Sequence, residues 1–191
     1  MLTVCTMTDV EVRSRDGRAE DLIGRMARGD MSAMEELYGL IQTDVYAYAL
    51  SKTASKPDAE DVTHDTFVQI WKNAPRYQPM GKPMAWVFTV EMNLIRRHFQ
   101  KAKRTVSLDE AFPPSAEEDF TEEVINREFL RQMLLTLSEE EREVITLHIV
   151  SGMKHREIAK LLQKPLSTVL SKYNRAIKKL QIKIQEKEEQ K

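Results

Sequence analysis

The chain has 191 residues, 41% of them hydrophobic and 31% charged, with a formal net charge of −1. That length holds one large or two small domains, and so high a charged share favours small units with much surface for their core. The single cysteine, Cys5, excludes an internal disulfide and a cysteine-built metal site. No apolar run reaches membrane-spanning length and no signal-peptide core is visible, so a cytoplasmic protein without membrane insertion is expected.

Residues 1–18 show no sustained periodicity and contain Asp16-Gly17, and a flexible tail is expected there. From Asp21 the spacing turns helical. Leu22, Ile23 and Met26 form a stripe that Gly29-Asp30 ends, and Met34, Leu37, Tyr38 and Ile41 lead into Val45, Tyr46, Tyr48, Ala49 and Leu50. Ser55 before Pro57 and Asp58 marks a helix start, with a capping hydroxyl, an early proline and an acid at the positive end of the helix dipole. This helix carries Val62, Phe67, Ile70 and Trp71. Residues 74–83 break the pattern with Pro75, Pro79, Gly81 and Pro83, and helix resumes from about Met84 to Lys103. The proline-bearing acidic stretch 105–121 predicts a flexible linker. Helix returns near Glu122 with Ile125, Phe129, Met133, Leu134 and Leu137. Ser138 and Glu141 form a capping box, and Gly152 ends the helix it opens. No strand signal and no internal repeat are visible, so the fold class is all-α: two small helical domains, 19–104 and 122–191, joined by the linker.

The near-zero net charge hides segregation. Asn93 to Arg104 holds Arg96, Arg97, Lys101, Lys103 and Arg104 with no acid; 105–123 holds seven acids with no base; Lys164 to Leu180 is again wholly basic. One charge run is usually a solvated face. Two basic runs, each closing a helical unit, point toward nucleic acid.

Leu137 to Leu180 has the pattern of a helix-turn-helix, a unit that sets one short helix in the DNA major groove and braces it with another. With the second helix starting at Ser167, Val169, Tyr173, Ala176, Ile177 and Leu180 face inward against Ile158, Leu161 and Leu162. Thr168, Ser171, Lys172 and Arg175 then share the outer face, a mixture suited to guanine edges, phosphates and hydroxyl-tolerant contacts. Lys178 and Lys179 are expected on the DNA backbone. His148 and His155 lie seven apart without a further ligand pair, so packing or surface histidines are expected rather than a metal site.

Four stretches of the first half, D-L-I-G-R-M-A-R-G-D-M-S-A-M-E-E-L-Y, D-A-E-D-V-T-H-D-T-F-V-Q-I-W, P-R-Y-Q-P-M-G-K-P-M-A-W-V-F and V-E-M-N-L-I-R-R-H-F, resemble region 2 of an extracytoplasmic-function (group 4) sigma factor of the sigma-70 family. The second half resembles region 4 of the same family. The resemblance implies that Glu60, Asp61, His64 and Asp65 bind the clamp of core RNA polymerase, His64 standing where the family has glutamine; a solvated acidic face at a helix start is the alternative for Glu60, Asp61 and Asp65, and helical phase puts Phe67 in the core. It implies that the loop 76–82 takes up a flipped base of the −10 element, through Arg76, Tyr77, Gln78, Met80 and Lys82. Stacking by Tyr77 would suit that role; an ordinary helix connection with Tyr77 packed inward is the alternative. Asn93 would meet the −10 strand, and Arg96, Arg97, Lys101 and Arg104 its phosphates. Trp86 and Phe88, two apart on a helix, cannot share a face; Trp86 is expected in the core and Phe88 at the surface near the melted strand. Pro83, Met84, Met92 and Arg97 depart from the family's usual residues.

In the second half, Thr168, Leu170, Ser171, Lys172, Asn174, Arg175, Lys178 and Lys179 would meet the −35 element. Leu170 replaces a usual lysine or arginine, in reach of a thymine methyl or a partner protein. Gln163 replaces a turn glycine, where a positive φ costs about 1 kcal/mol. The implied function is a sigma subunit that takes core polymerase, by its clamp and flap, to promoter DNA and helps to melt the −10 element, under an anti-sigma factor. No catalytic residue, cofactor or small-molecule substrate is expected, since no phosphate loop or nucleophile constellation is present. The alternatives are a stand-alone helix-turn-helix regulator of duplex DNA and a protein-only adaptor of the polymerase.

Overall fold

A computed structural model describes residues 9–53, 55–105 and 136–189. Seven α-helices run through them: α1 Asp9–Ala27, α2 Ser32–Thr53, α3 Lys56–Asn73, α4 Pro83–Thr105, α5 Glu139–Ile145, α6 His155–Leu161 and α7 Leu166–Glu189. There is no strand among the described residues. The acidic linker, the helix expected from Glu122 and the first eight residues lie outside them.

The caps follow the sequence. The Ser55 side chain accepts from the Asp58 amide with Pro57 in the first turn of α3. Ser138 and Glu141 form the reciprocal capping box at α5, each side chain taking the other's backbone N–H. Beyond Ile145 the helix widens into a π turn over Thr146–Val150, and Gly152 then turns the chain at φ 65°.

One expectation fails at the N-terminus. α1 begins at Asp9, inside the stretch expected as a tail, and runs through Asp16-Gly17. Gly17 costs about 1 kcal/mol against alanine in a helix, but the turn around it places Arg15, Ala19, Leu22, Ile23 and Met26 in buried positions. That burial outweighs the glycine.

α1 to α4 enclose a core that includes Leu37, Ile41, Val45, Tyr48, Phe67, Ile70, Val87 and Phe88. The same core continues into the C-terminal unit through Val144, Leu147, Met153, Ile158 and Val169. A second cluster of Leu137, Ile145 and Ala176, with Ile149, Ile177 and Leu180 against it, fixes α7 to α5. The two units are thus packed together.

Polar contacts reinforce that packing. Tyr48 donates to Glu143 Oε1 at 2.8 Å, Lys52 Nζ lies 2.7 Å from Glu139 and 3.4 Å from Glu143, and Lys82 pairs with Glu157 at 3.0 Å. Arg15, nearly buried, spans the seam: one guanidinium nitrogen meets Asp44 at 2.5 Å and another donates to the Ser151 carbonyl. Gly152 sits so close to α1 that a Cβ there would fall 2.6 Å from a Val12 methyl carbon. None of its helices is long and apolar enough to cross a membrane among the described residues.

Candidate nucleic-acid interface

The buried face of α3 carries Ala59, Val62, Thr63, Thr66, Phe67 and Ile70. Helical periodicity therefore puts Glu60, Asp61, His64 and Asp65 together on the opposite face, all exposed. His64 and Asp65 lie 3.9 Å apart with side chains 80% and 68% exposed. Phe67 packs on Tyr38, ring centroids 4.7 Å apart, as its helical phase requires.

The end of α3 and the first half of α4 form a groove of about 330 Å³. Arg76, Asn93 and Arg97 line it, so three residues picked from the sequence converge. Gln69, Asn73 and Trp86 line it too and escaped the sequence reading. Asn73 and Gln69 sit one helical turn apart, with the Asn73 amide donating to the Gln69 carbonyl at 2.8 Å; that turn repeat was the available signal. Arg96 is exposed on the same helix. Lys101 and Arg104 continue α4, but their side chains lie outside the described ones.

Phe88 and Trp86 exchange the places expected of them. Phe88 is fully buried, edge-on to Tyr48 at 5.3 Å, whereas Trp86 is half-exposed on the groove. The inward stripe of α4 is Met84, Val87, Phe88, Glu91 and Ile95. The carboxyl in that stripe disguises its phase in the sequence. Phe88 is accordingly removed from the −10 contacts.

The loop 77–82 is shaped by a residue of α1. Glu20 accepts from the Tyr77 hydroxyl at 2.8 Å and from the Gly81 amide at 2.9 Å, with Gly81 at φ 65°. Tyr77 also packs on Trp86 at 4.9 Å. Its hydroxyl is pushed well above the ordinary phenol pKa, by burial first and by the Glu20 carboxylate second. Tyr77 is therefore turned inward, which is the alternative left open by the sequence. Gln78, Met80 and Lys82 form the exposed rim, with Met80 76% exposed.

In the second unit α7 buries Val169 and Ala176 completely, with Tyr173, Ile177 and Leu180 beside them. The turn before it carries Gln163 at φ 54°, the only non-glycine positive φ among the described residues. His148 and His155 stack at 4.2 Å and both meet the Tyr173 ring edge-on. His148 Nδ1 lies 2.8 Å from the Met153 carbonyl. Burial, then His148 beside it, lowers the His155 pKa. The pair is a packing element that seats the turn on α7.

The outer face of α7 lies about a quarter turn from the one expected. Ser167, Leu170, Ser171, Asn174, Arg175 and Lys178 are exposed, while Thr168 and Lys172 are half-buried on one flank. Acids of α5 draw the flank in. Glu140 pairs with Lys164 at 2.5 Å and with Lys172, and Glu141 pairs with Lys179 at 2.7 Å. These cations hold the Glu140 carboxyl down at about 2. Arg175 folds back on its own helix, donating to the Ser171 carbonyl at 3.3 Å and hydroxyl at 3.2 Å.

A helical unit with an acidic ridge and a basic, aromatic groove is followed by a helix-turn-helix, the build of a DNA-binding protein. The chain belongs to the sigma-70 family, as an extracytoplasmic-function member: the family model Sigma-70 region 2 matches residues 37–105, and Sigma-70, region 4 matches residues 127–180. It is similar to the ECF RNA polymerase sigma factor BldN of Streptomyces coelicolor, 25% identical over 87% of this chain and 66% of the relative's length. It is also similar to SigL of Mycobacterium tuberculosis, 28% identical over 84% of this chain and 93% of the relative. Its fold resembles CnrH in complex with the cytosolic domain of CnrY, with a TM-score of 0.62 at 24% identity over 88% of this chain and 97% of that one. It likewise resembles the sigma factor RpoE in complex with the anti-sigma factor NepR from Bartonella quintana, with a TM-score of 0.62 at 23% identity over 79% and 96%.

Proposed function

We propose that this chain is a promoter-specificity subunit of bacterial RNA polymerase. The acidic ridge Glu60, Asp61, His64 and Asp65 docks on the polymerase clamp. The groove of Arg76, Asn93 and Arg97, rimmed by Gln78, Met80 and Lys82, holds the opened −10 strand, with Arg96, Lys101 and Arg104 on its phosphates. The helix-turn-helix sits near the flap and α7 meets the −35 duplex. The observation that carries this reading is the presence, in one chain and in order, of a region 2 unit and a region 4 unit, each with a polar face left open.

An anti-sigma factor is the expected regulator, since both solved relatives are held in complexes, one of them explicitly with an anti-sigma factor. The protein works as a binding and melting factor in the cytoplasm, with the chemistry left to the polymerase. A stand-alone regulator of duplex DNA would have no use for the acidic ridge on α3, and that reading is not favoured.

The test mixes the purified protein with core polymerase on a library of genomic fragments. Discrete starts sharing two spaced upstream motifs are expected. Binding to core without specific starts would favour an adaptor, and a shift of duplex DNA with indifference to core would favour the stand-alone regulator.

A further inference from the structure

The end of a recognition helix that enters the major groove is its N-terminal part. In α7 that is Leu166 to Arg175. The cations in this stretch are Lys172, held by Glu140 on the flank, and Arg175, which is exposed and donates to the Ser171 carbonyl and hydroxyl of its own helix. The other exposed side chains of this stretch are Ser167, Leu170, Ser171 and Asn174. A lone exposed leucine is ordinary on a protein surface. Leu170, 39% exposed, is instead the apolar member of a polar reading face, one turn from Asn174 and so beside it.

Base-pair chemistry gives this set a preference. Guanine O6 and N7 are acceptors matched to arginine or lysine; here Lys172 is paired with Glu140, and the guanidinium of exposed Arg175 is engaged on Ser171. Adenine offers an N6 donor and an N7 acceptor, which an asparagine amide meets in two hydrogen bonds. Thymine adds a methyl group that apolar side chains contact. Neighbouring positions on one helix face meet neighbouring base pairs.

We propose that α7 reads A·T pairs in the −35 element, with Asn174 on an adenine and Leu170 on an adjacent thymine methyl. This rests on the sigma-factor reading and deepens it. Ser167 and Ser171 leave room for both contacts and tolerate either base. Lys178, exposed a turn further along, falls on phosphate.

The experiment uses the full-length chain assembled with core polymerase, on a promoter library with a fixed −10 element and a randomised −35 element. Selected sites are expected to hold consecutive A·T pairs. Replacing the contacted thymine by deoxyuridine removes only the methyl, and should weaken wild-type binding about four-fold. Leu170→Ala should bind the two templates equally, while Asn174→Ala should flatten the preference at the adenine by about ten-fold or more. A selected element of G·C pairs, or a deoxyuridine penalty that persists in Leu170→Ala, overturns the assignment and leaves the sigma reading intact. If the assembled enzyme selects no upstream element at all, the sigma reading itself falls and the assignment falls with it.

Discussion

Tyr48, toward the C-terminal end of α2, donates its hydroxyl to Glu143 of α5 at 2.8 Å, across 95 positions of sequence. The bond lies inside the joint core of the two units, with the tyrosine fully buried and its pKa driven well up by burial and then by the Glu143 carboxylate. A hydrogen bond to a charged acceptor contributes about 2 kcal/mol. Tyr48→Phe keeps the ring against Phe88 and removes only the hydroxyl. It should lower the Tm by about 5 °C, on the scale expected for a chain of this size. Hydrogen exchange should rise chiefly in α5 and α6. Unchanged exchange there would mean that the seam is held by Lys52 and Arg15 without the tyrosine.

Glu91 is buried to 0% exposure in α4, and its carboxyl oxygens make no hydrogen bond of normal geometry, the Ala49 backbone being the polar group beside them. Burial raises its pKa well above the ordinary range; the Ala49 backbone moderates the rise and Asp44 nearby adds to it. A carboxyl held protonated in the fold gives most stability at low pH and takes it away as pH rises, because the unfolded chain releases its proton first. Asp44 acts in the same sense but is raised only to about 6, so its contribution levels off there. Beyond that the Glu91 contribution remains, in the same direction, because the unfolded chain gives up this proton before the fold does. Urea unfolding should therefore show wild-type stability falling as pH rises from acid toward neutrality, and falling further than Asp44 alone accounts for. Glu91→Met should abolish most of that fall and raise stability at the upper end.

Elements whose cause is local were readable from the sequence. Ser55 and Ser138 cap where hydroxyl and acid spacing require, and Gly152 and Gln163 take the positive φ that their turns impose. The misreadings come from charged residues inside buried stripes. Arg15 interrupts the apolar pattern of α1 and hides its first two turns; Glu91 shifts the apparent phase of α4 and exchanges Trp86 with Phe88. Each is tolerated for a reason outside its own helix pattern: Arg15 is met by Asp44 and by the Ser151 carbonyl, 136 positions away, and burial keeps the Glu91 carboxyl protonated. The face of α7 was missed by a quarter turn for the same kind of reason. Glu140 captures Lys172 from another helix, and no periodicity within α7 records that.

Gln163 adopts φ 54° in the turn between α6 and α7, with no Cβ-free residue to relieve it. The left-handed conformation costs a side-chain-bearing residue about 1 kcal/mol. Gln163→Gly should recover about that amount, less the entropy that glycine gains in the unfolded chain. The gain is to be measured by thermal unfolding, with Gln163→Val as the opposite control, since a β-branched side chain tolerates this region least. A loss of stability in the glycine variant would show that the Gln163 side chain contributes more than its backbone costs.

Glu140 restrains two lysines of the DNA-facing unit, Lys164 and Lys172. The carboxyl is held at about 2, below its ordinary value, so the pairing persists through the usual pH range and is lost only as acid approaches that value. Glu140→Gln removes the charge and keeps the size. The released lysines become available to phosphates, and each added phosphate contact steepens the dependence of log K on log salt by about 0.9. The full-length variant should bind arbitrary duplex DNA more tightly at low salt, with a slope steeper by about one to two. Its discrimination between a selected −35 element and a scrambled one should fall, because the added affinity carries no sequence information. Fluorescence anisotropy across a salt series measures both quantities. An unchanged slope would mean that the lysines stay on the protein without Glu140, and that the flank of α7 is set by packing rather than by this carboxylate.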